Sequence, residues 1–147
     1  MQARPTFGSF FRHKNKRSYV VLISEKFKIS DKEFKTTDIP SDIFVGWIGH
    51  ELGHIMDYRN RSSLGLIWFG IRYLSSSTYR RRSEYIADQY AIRHGFHEEI
   101  ITAKRFILEN DLLTPEYKAI IDKYYMPIHE VQWHTDNPHS LENLFIG

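Results

Sequence analysis

Several absences narrow what this chain can be. It has no cysteine, which excludes disulfides and any metal site built on thiolates. Its longest apolar run, residues 64–71, is far shorter than the ~20 residues that cross a bilayer. Residues 1–17 are basic and lack the apolar core of a secretory signal. We therefore expect a cytoplasmic protein without a transmembrane segment.

Charge and size set the broad class. The 20 Lys and Arg nearly balance the 18 Asp and Glu, and this balance does not favour nucleic acid as the main partner. The chain has 147 residues, 41% of them hydrophobic, which suits one domain spanning 1–147 with a buried core. Eight histidines supply the side chains that a metal site without cysteine needs.

The first half of the chain predicts a strand and a long helix. Residues 18–24 are β-branched and aromatic, as in a strand, and 26–39 fit a short strand and a turn. Ser41 suits the N-cap of a helix whose apolar residues keep helical spacing to about Tyr58. Two glycines in the apolar patch 64–74 favour a loop or short hairpin there.

The second half predicts three more helices. One spans about 80–94 and ends at Gly95, one spans about 97–110, and one follows Thr114 as cap with Pro115 at its first position. Residues 126–147 have no clear period and are expected to be an irregular tail. The core is therefore expected to lie within about 18–125.

The most informative residues are the H-E-x-x-H pentapeptide at positions 50–54. Residues four apart share one face of a helix, so His50 and His54 can direct a ring nitrogen at one zinc ion. Glu51 then lies beside them as a base for a zinc-bound water. This chemistry is the attack of water on a peptide bond.

A hydrolytic zinc site needs a third protein ligand. A metzincin would have Gly and His where Asp57 and Asn60 stand. The later helix instead offers Glu84 as the ligand, with Asp88 one turn on. A carboxylate at Asp88 can accept the second N–H of a ligand histidine and fix its tautomer.

The segments H-E-L-G-H and E-x-x-A-D-x-x-A together resemble the gluzincin metallopeptidases related to HtpX and the CaaX prenyl endopeptidase. In length the chain is similar to their small soluble relatives, the minigluzincins. The resemblance implies an α+β, zincin-like, mostly helical domain with a small sheet whose edge strand, 18–24, borders the cleft and binds peptide. It also implies that His50, His54 and Glu84 bind Zn²⁺ and that Glu51 is the general base. Asp88 would then form a hydrogen bond with one of the ligand histidines.

The chain departs from this family in two respects. It lacks the family's transmembrane helices. It also lacks the His-Pro and following Arg that family members often have near the C-terminus. The group that would stabilise the oxyanion is therefore open among five candidates: Tyr124, Tyr125, His129, His134 and His139.

Two other functions are weighed against a peptidase. The tail 126–147 is long enough to cover the cleft, which predicts a latent or catalytically silent metal-binding module. A protein resembling the ImmA/IrrE group, which acts on a repressor, is less consistent with Asp88.

Asp57 is expected to be a solvated helix end. Residues 64–74 with the nearby arginines leave room for a peripheral membrane contact, although a solvated face is the commoner outcome for such a cluster. Nothing here predicts an oligomeric state.

Overall fold

The computed structural model describes residues 1–29 and 32–142 and is mostly helical, in agreement with the general α+β class. Within these ranges its strands form two separate two-stranded antiparallel sheets. The strands are β1 Gln2–Pro5, β2 Tyr19–Leu22, β3 Lys26–Ile29 and β4 Lys32–Lys35. The helices are α1 Ser41–Arg59, α2 Ser63–Ser75, α3 Ser77–Arg93, α4 His97–Leu108, α5 Pro115–Tyr124 and α6 Ile128–Asp136.

The first sheet joins the start of the chain to the predicted strand. β2 lies within 18–24, as predicted, and pairs with β1 so that Ala3 is opposite Val21. The prediction of one strand and a turn in 26–39 missed a strand, because β3 and β4 pair with each other before a 3-10 turn at Thr36–Asp38. Strand β1 is a further addition, because the sequence predicted no strand in residues 1–17.

Helix α1 forms the centre of the molecule and packs on both α3 and α4. Ser41 is its first helical residue, with Pro40 in the cap position, so the predicted cap was displaced by one residue. Asp57 was expected to be solvated, and this was wrong. It is only 8% exposed, because Arg61 one turn later covers it with an ion pair of 2.9 Å.

The prediction of a loop or hairpin at 64–74 was also wrong, since this segment is helix α2. The Ser62 hydroxyl caps it by accepting the Gly65 N–H at 3.0 Å. Leu66 and Phe69, three residues apart, are buried on one side of the helix. Helical packing of this inner side outweighs the flexibility that Gly65 and Gly70 bring.

Helices α3, α4 and α5 match the prediction closely. α3 begins three residues early, where the Ser76 hydroxyl accepts the Tyr79 N–H, and it is followed by Gly95 with a φ of +89°. That left-handed conformation favours glycine. In α5, Pro115 is the first residue and the Thr114 side chain accepts the Tyr117 N–H, as predicted.

The tail is not irregular where it is described. It forms α6 and a 3-10 turn at Pro138–Leu141, and both pack on α3. Met126, Val131 and Leu141 are at most 2% exposed and join the main core cluster. The core therefore extends beyond 18–125, and residues 143–147 lie outside the described part of the chain.

Among the helices of residues 1–29 and 32–142, none combines the length and apolar character needed to cross a bilayer.

Candidate metal centre

Two helices bring three potential metal ligands together. α1 carries His50 and His54 on one face, and α3 brings Glu84 against them. The Nε2 atom of His50 lies 3.0 Å from Glu84 Oε2, and that of His54 lies 3.3 Å from the same oxygen. The potential ligand atoms of the three residues all lie within 4.8 Å of one another. They form a nearly buried cluster, in which the Glu84 side chain is 1% exposed.

A glycine in the motif lets the helices approach this closely. A Cβ atom placed on Gly53 would lie 2.1 Å from the carbonyl oxygen of Ala87. No side chain fits at that distance, so only glycine lets α1 lie against the backbone of α3. Ala87 itself is fully buried. The close contact between the two helices is therefore the one between Gly53 and Ala87.

Asp88 lies behind His50, on the side of the ring away from Glu84. Its Oδ1 is 2.9 Å from His50 Nδ1, and its Oδ2 accepts from Lys104 Nζ at 2.9 Å and from the Met126 N–H at 3.2 Å. Burial raises the pKa of Asp88, but Lys104 and His50 outweigh burial and lower it to about 2. Asp88 is therefore an anion that can hold the Nδ1 proton and leave Nε2 as the ligand atom.

Glu84 is oriented by groups on both sides. The Tyr73 hydroxyl of α2 donates to Oε1, while Oε2 faces the two histidines. Burial raises the pKa of Glu84, but hydrogen bonds with His50 and His54 outweigh burial and hold it far below its usual range. For His50, burial lowers the pKa, and the bonds to Asp88 and Glu84 outweigh burial to raise it to about 10. Protonated His50 can therefore donate to Asp88 from Nδ1 and to Glu84 from Nε2.

The residues present fit a divalent metal ion. Two imidazole nitrogens and one carboxylate are a donor set that suits zinc and its neighbours in the first transition series. Ligand atoms about a tetrahedral ion with bonds of ~2.0–2.1 Å lie ~3.3 Å apart. The observed separations of 3.0 and 3.3 Å from Glu84 to the histidines are close to this value. The two distances that involve Glu84 therefore already suit a single bound ion.

No protein-family model, curated protein or solved structure matches this chain. The likeness to gluzincins therefore depends on the motif residues alone.

Glu51 lies outside the ligand cluster and lines a cavity next to it. This cavity has a volume of about 350 Å³ and is lined by His50, Glu51 and Tyr125, among others. The Glu51 Oε2 atom accepts the main-chain N–H of Ala3, in β1, at 2.6 Å. Strand β1 therefore crosses the site beside Glu51, although no residue near position 3 predicts this contact.

Of the five candidates for stabilising an oxyanion, the structure brings Tyr125 to the cavity. Its ring centroid is 5.4 Å from that of His50, and Lys104 Nζ lies 5.2 Å from its ring centre. Burial raises the pKa of Tyr125 well above its usual value, so the hydroxyl keeps its proton. It remains a hydrogen-bond donor at the cavity wall.

The other four candidates are placed elsewhere. None of them is among the described residues that line the cavity. The Tyr124 ring lies under Arg80, whose guanidinium carbon is 4.4 Å from its centre. His134 is buried and bonds to Ser140, while His129 and His139 are exposed.

Sequence reasoning missed Lys104, Tyr73 and Ala3. Lys104 carried a detectable signal, because it falls on the face of α4 formed by Ile100, Ala103 and Ile107. A lysine in an apolar stripe indicates a buried acidic partner. Tyr73 and Ala3 carried no such local signal, since each contacts the site only through tertiary packing.

Proposed function

We propose that this protein is a zinc-dependent endopeptidase that hydrolyses peptide bonds. The observation that carries the proposal is the meeting of His50, His54 and Glu84 within 4.8 Å, with Glu51 next to them but free of the cluster. A site that only stores metal has no need for a further carboxylate beside its ligands. Peptide or protein chains are the proposed partners, and a cytoplasmic location belongs to the same proposal.

His50, His54 and Glu84 would hold the ion, and Asp88 would keep His50 in the required tautomer. Bound zinc would supply a water acidified towards neutral pH and a positive charge that polarises the substrate carbonyl. Tyr73 would keep Glu84 from rotating, because its hydroxyl binds the oxygen that does not face the histidines. These residues bind and orient, and none of them needs to move a proton during turnover.

Glu51 would move the proton. Its carboxylate would accept a proton from the attacking water and then deliver it to the leaving nitrogen of the cleaved bond. Delivery requires the carboxylate to reach a main-chain nitrogen, and the bond of 2.6 Å to Ala3 N supports such reach. Tyr125 is the proposed donor to the carbonyl oxygen, since it faces the same cavity as a neutral phenol.

The test compares Glu51→Gln with the native chain, using a peptide library and elemental analysis. We expect the variant to keep its zinc, because Glu51 is not a ligand, and to lose at least about a hundredfold in cleavage rate. Glu98→Gln, an exposed carboxylate on α4, is the matched control and should cleave normally. Full activity of Glu51→Gln would refute the proposed base.

We further propose that the chain is latent, with β1 rather than the tail covering the site. The tail was the expected cover, but its described part packs on α3 and α4. β1 instead extends the sheet of β2 and places an amide N–H on Glu51, as the substrate of the proposed reaction would. Ala3 is 5% exposed in this position.

Proline at position 3 tests this latency, because proline has no N–H to donate to Glu51. The Ala3 N–H points to Glu51 and not to β2, so the ladder with β2 loses no bond. Ala3→Pro should raise cleavage several-fold. Ala3→Gly is the control, since glycine keeps the N–H that donates to Glu51, and it should cleave like the native chain. Equal activity of Ala3→Pro and the native chain would contradict latency through β1. No cleavage by either, with zinc bound, would favour a silent metal-binding module.

A further inference from the structure

Helix α2 exposes an apolar stripe on the side away from the core. Leu64, Ile67, Trp68, Ile71 and Leu74 recur at helical spacing and are 78%, 45%, 59%, 49% and 88% exposed. We call these five residues the α2 stripe. Large exposed apolar patches are typical of surfaces that bind a protein, a ligand or a membrane.

Two exposed phenylalanines lie at the N-terminal end of the stripe. Phe7 is 92% exposed and Phe11 79% exposed. Their loop is fixed to α2, because the Ser63 hydroxyl donates to the Phe10 carbonyl at 2.8 Å. Arg17 adds a bond to the Ser63 hydroxyl at 3.1 Å. The loop and the stripe together form what we call the docking face.

The two segments that contain the docking face carry charge of one sign. Residues 1–24 and 58–83 hold eleven of the 20 Lys and Arg and none of the 18 Asp and Glu. Not all of these cations are available, since Arg17 is buried and Arg61 pairs with Asp57. The exposed cations closest in sequence to the loop and the stripe are Arg12, Lys14, Lys16, Arg59 and Arg72.

The occupant of this face must cover apolar side chains and neutralise cations at once. An anionic bilayer surface does both, because anionic headgroups lie directly above acyl chains. Nucleic acid would satisfy the cations but leave Leu64 and Leu74 without apolar cover. The Arg72 guanidinium lies 5.8 Å from the ring centre of Trp68. Tryptophan is enriched at the headgroup level of bilayers, where an arginine can also meet anionic headgroups.

We propose that the docking face binds this protein to the surface of an anionic lipid bilayer. The helix lies in the interface and does not cross it, because the 13 residues of α2 extend only ~20 Å against a hydrocarbon thickness of ~30 Å. The inner side of α2, with Phe69 and Tyr73, stays in the protein. Docking does not depend on the metal chemistry.

Vesicle sedimentation of the full chain tests this proposal. We expect binding to phosphatidylcholine vesicles that contain roughly one quarter phosphatidylserine, and binding at least about tenfold weaker to phosphatidylcholine alone. High salt should weaken the binding. Trp68 fluorescence should shift to shorter wavelength on binding, and Trp68→Phe should remove most of the shift.

The double variant Ile67→Ser with Leu74→Ser should bind at least about tenfold more weakly. Leu112→Ser with Ile120→Ser is the matched control, since these exposed residues lie outside the docking face and should have little effect. Lys14→Glu with Lys16→Glu should also weaken binding.

Three results would overturn the proposal. The first is no binding to either vesicle, and the second is binding that the stripe variant leaves unchanged. The third is evidence that something else occupies the face. This would be a dimer of the chain that the stripe variant dissociates, or duplex DNA bound as tightly as the anionic vesicles.

Discussion

Replacing Lys104 with methionine should destabilise the protein strongly, although the residue lies on a helix that carries no metal ligand. Lys104 Nζ is 2.9 Å from Asp88 Oδ2, and the two side chains are 8% and 1% exposed. Lys104→Met keeps most of the volume and apolar stem of the side chain. It removes the cation and leaves Asp88 as a buried carboxylate with fewer partners.

The size of the effect follows from burial. Removing one partner of a buried ion pair costs about 3–5 kcal/mol, because the remaining charge is neither solvated nor paired. In this case His50 and the Met126 N–H still contact Asp88, which favours the lower part of that range. Near this chain length, each kcal/mol lowers the melting temperature by roughly 2–4 °C. We therefore expect a fall of about 6–12 °C.

The assay is thermal and urea unfolding followed by circular dichroism, with a chelator present so that metal binding does not contribute. Arg105→Met is the control, since it is the next residue on α4 and is exposed. It should change stability by less than about 0.5 kcal/mol. Adding Asp88→Asn to Lys104→Met should recover part of the loss, because the unpaired charge is removed.

A loss below about 1 kcal/mol for Lys104→Met, equal to that of Arg105→Met, would refute this reasoning. It would mean that Asp88 takes up a proton or reaches water without penalty.

Two further predictions concern contacts that position the proposed metal ligands. Gly53→Ala should destabilise the protein by at least about 1–3 kcal/mol and weaken zinc binding, because its Cβ would meet the Ala87 carbonyl. Gly70→Ala, with nothing within 4 Å of its Cβ, should instead be neutral or stabilising in the same unfolding assay. Equal effects of the two substitutions would contradict the close approach. Tyr73→Phe should lower zinc affinity about 10–100-fold in a chelator competition, since Glu84 loses the hydrogen bond that orients it. Tyr85→Phe, whose hydroxyl accepts from the exposed Arg81, should not change it, and unchanged affinity in Tyr73→Phe would argue against that role.

Local spacing was sufficient to predict the helices that carry the site. His50 and His54 are one turn apart in α1, and Glu84 and Asp88 are one turn apart in α3, so each pair shares a face in any helix. What the spacing cannot give is the distance between the two helices. That distance depends on Gly53 meeting Ala87, a contact between residues far apart in the sequence.

Errors arose where tertiary packing outweighed local preference. α2 contains two glycines, and it is helical because Leu66 and Phe69 pack on the core. The tail has no strong period, and Val131 and Leu141 order it by joining the core cluster. Strand β1 reaches the site because it pairs with β2, and no residue near position 3 indicates a contact with Glu51.

The central claim is that His50, His54 and Glu84 hold one metal ion, and the zinc content of the purified chain tests it most directly. Elemental analysis of the untagged protein should give one zinc per chain, and Glu84→Ala should reduce this to a small fraction. Glu98→Ala, which removes an exposed carboxylate, should leave the content unchanged. Zinc absent from the native chain after incubation with the metal, or equally abundant in Glu84→Ala, would contradict the account.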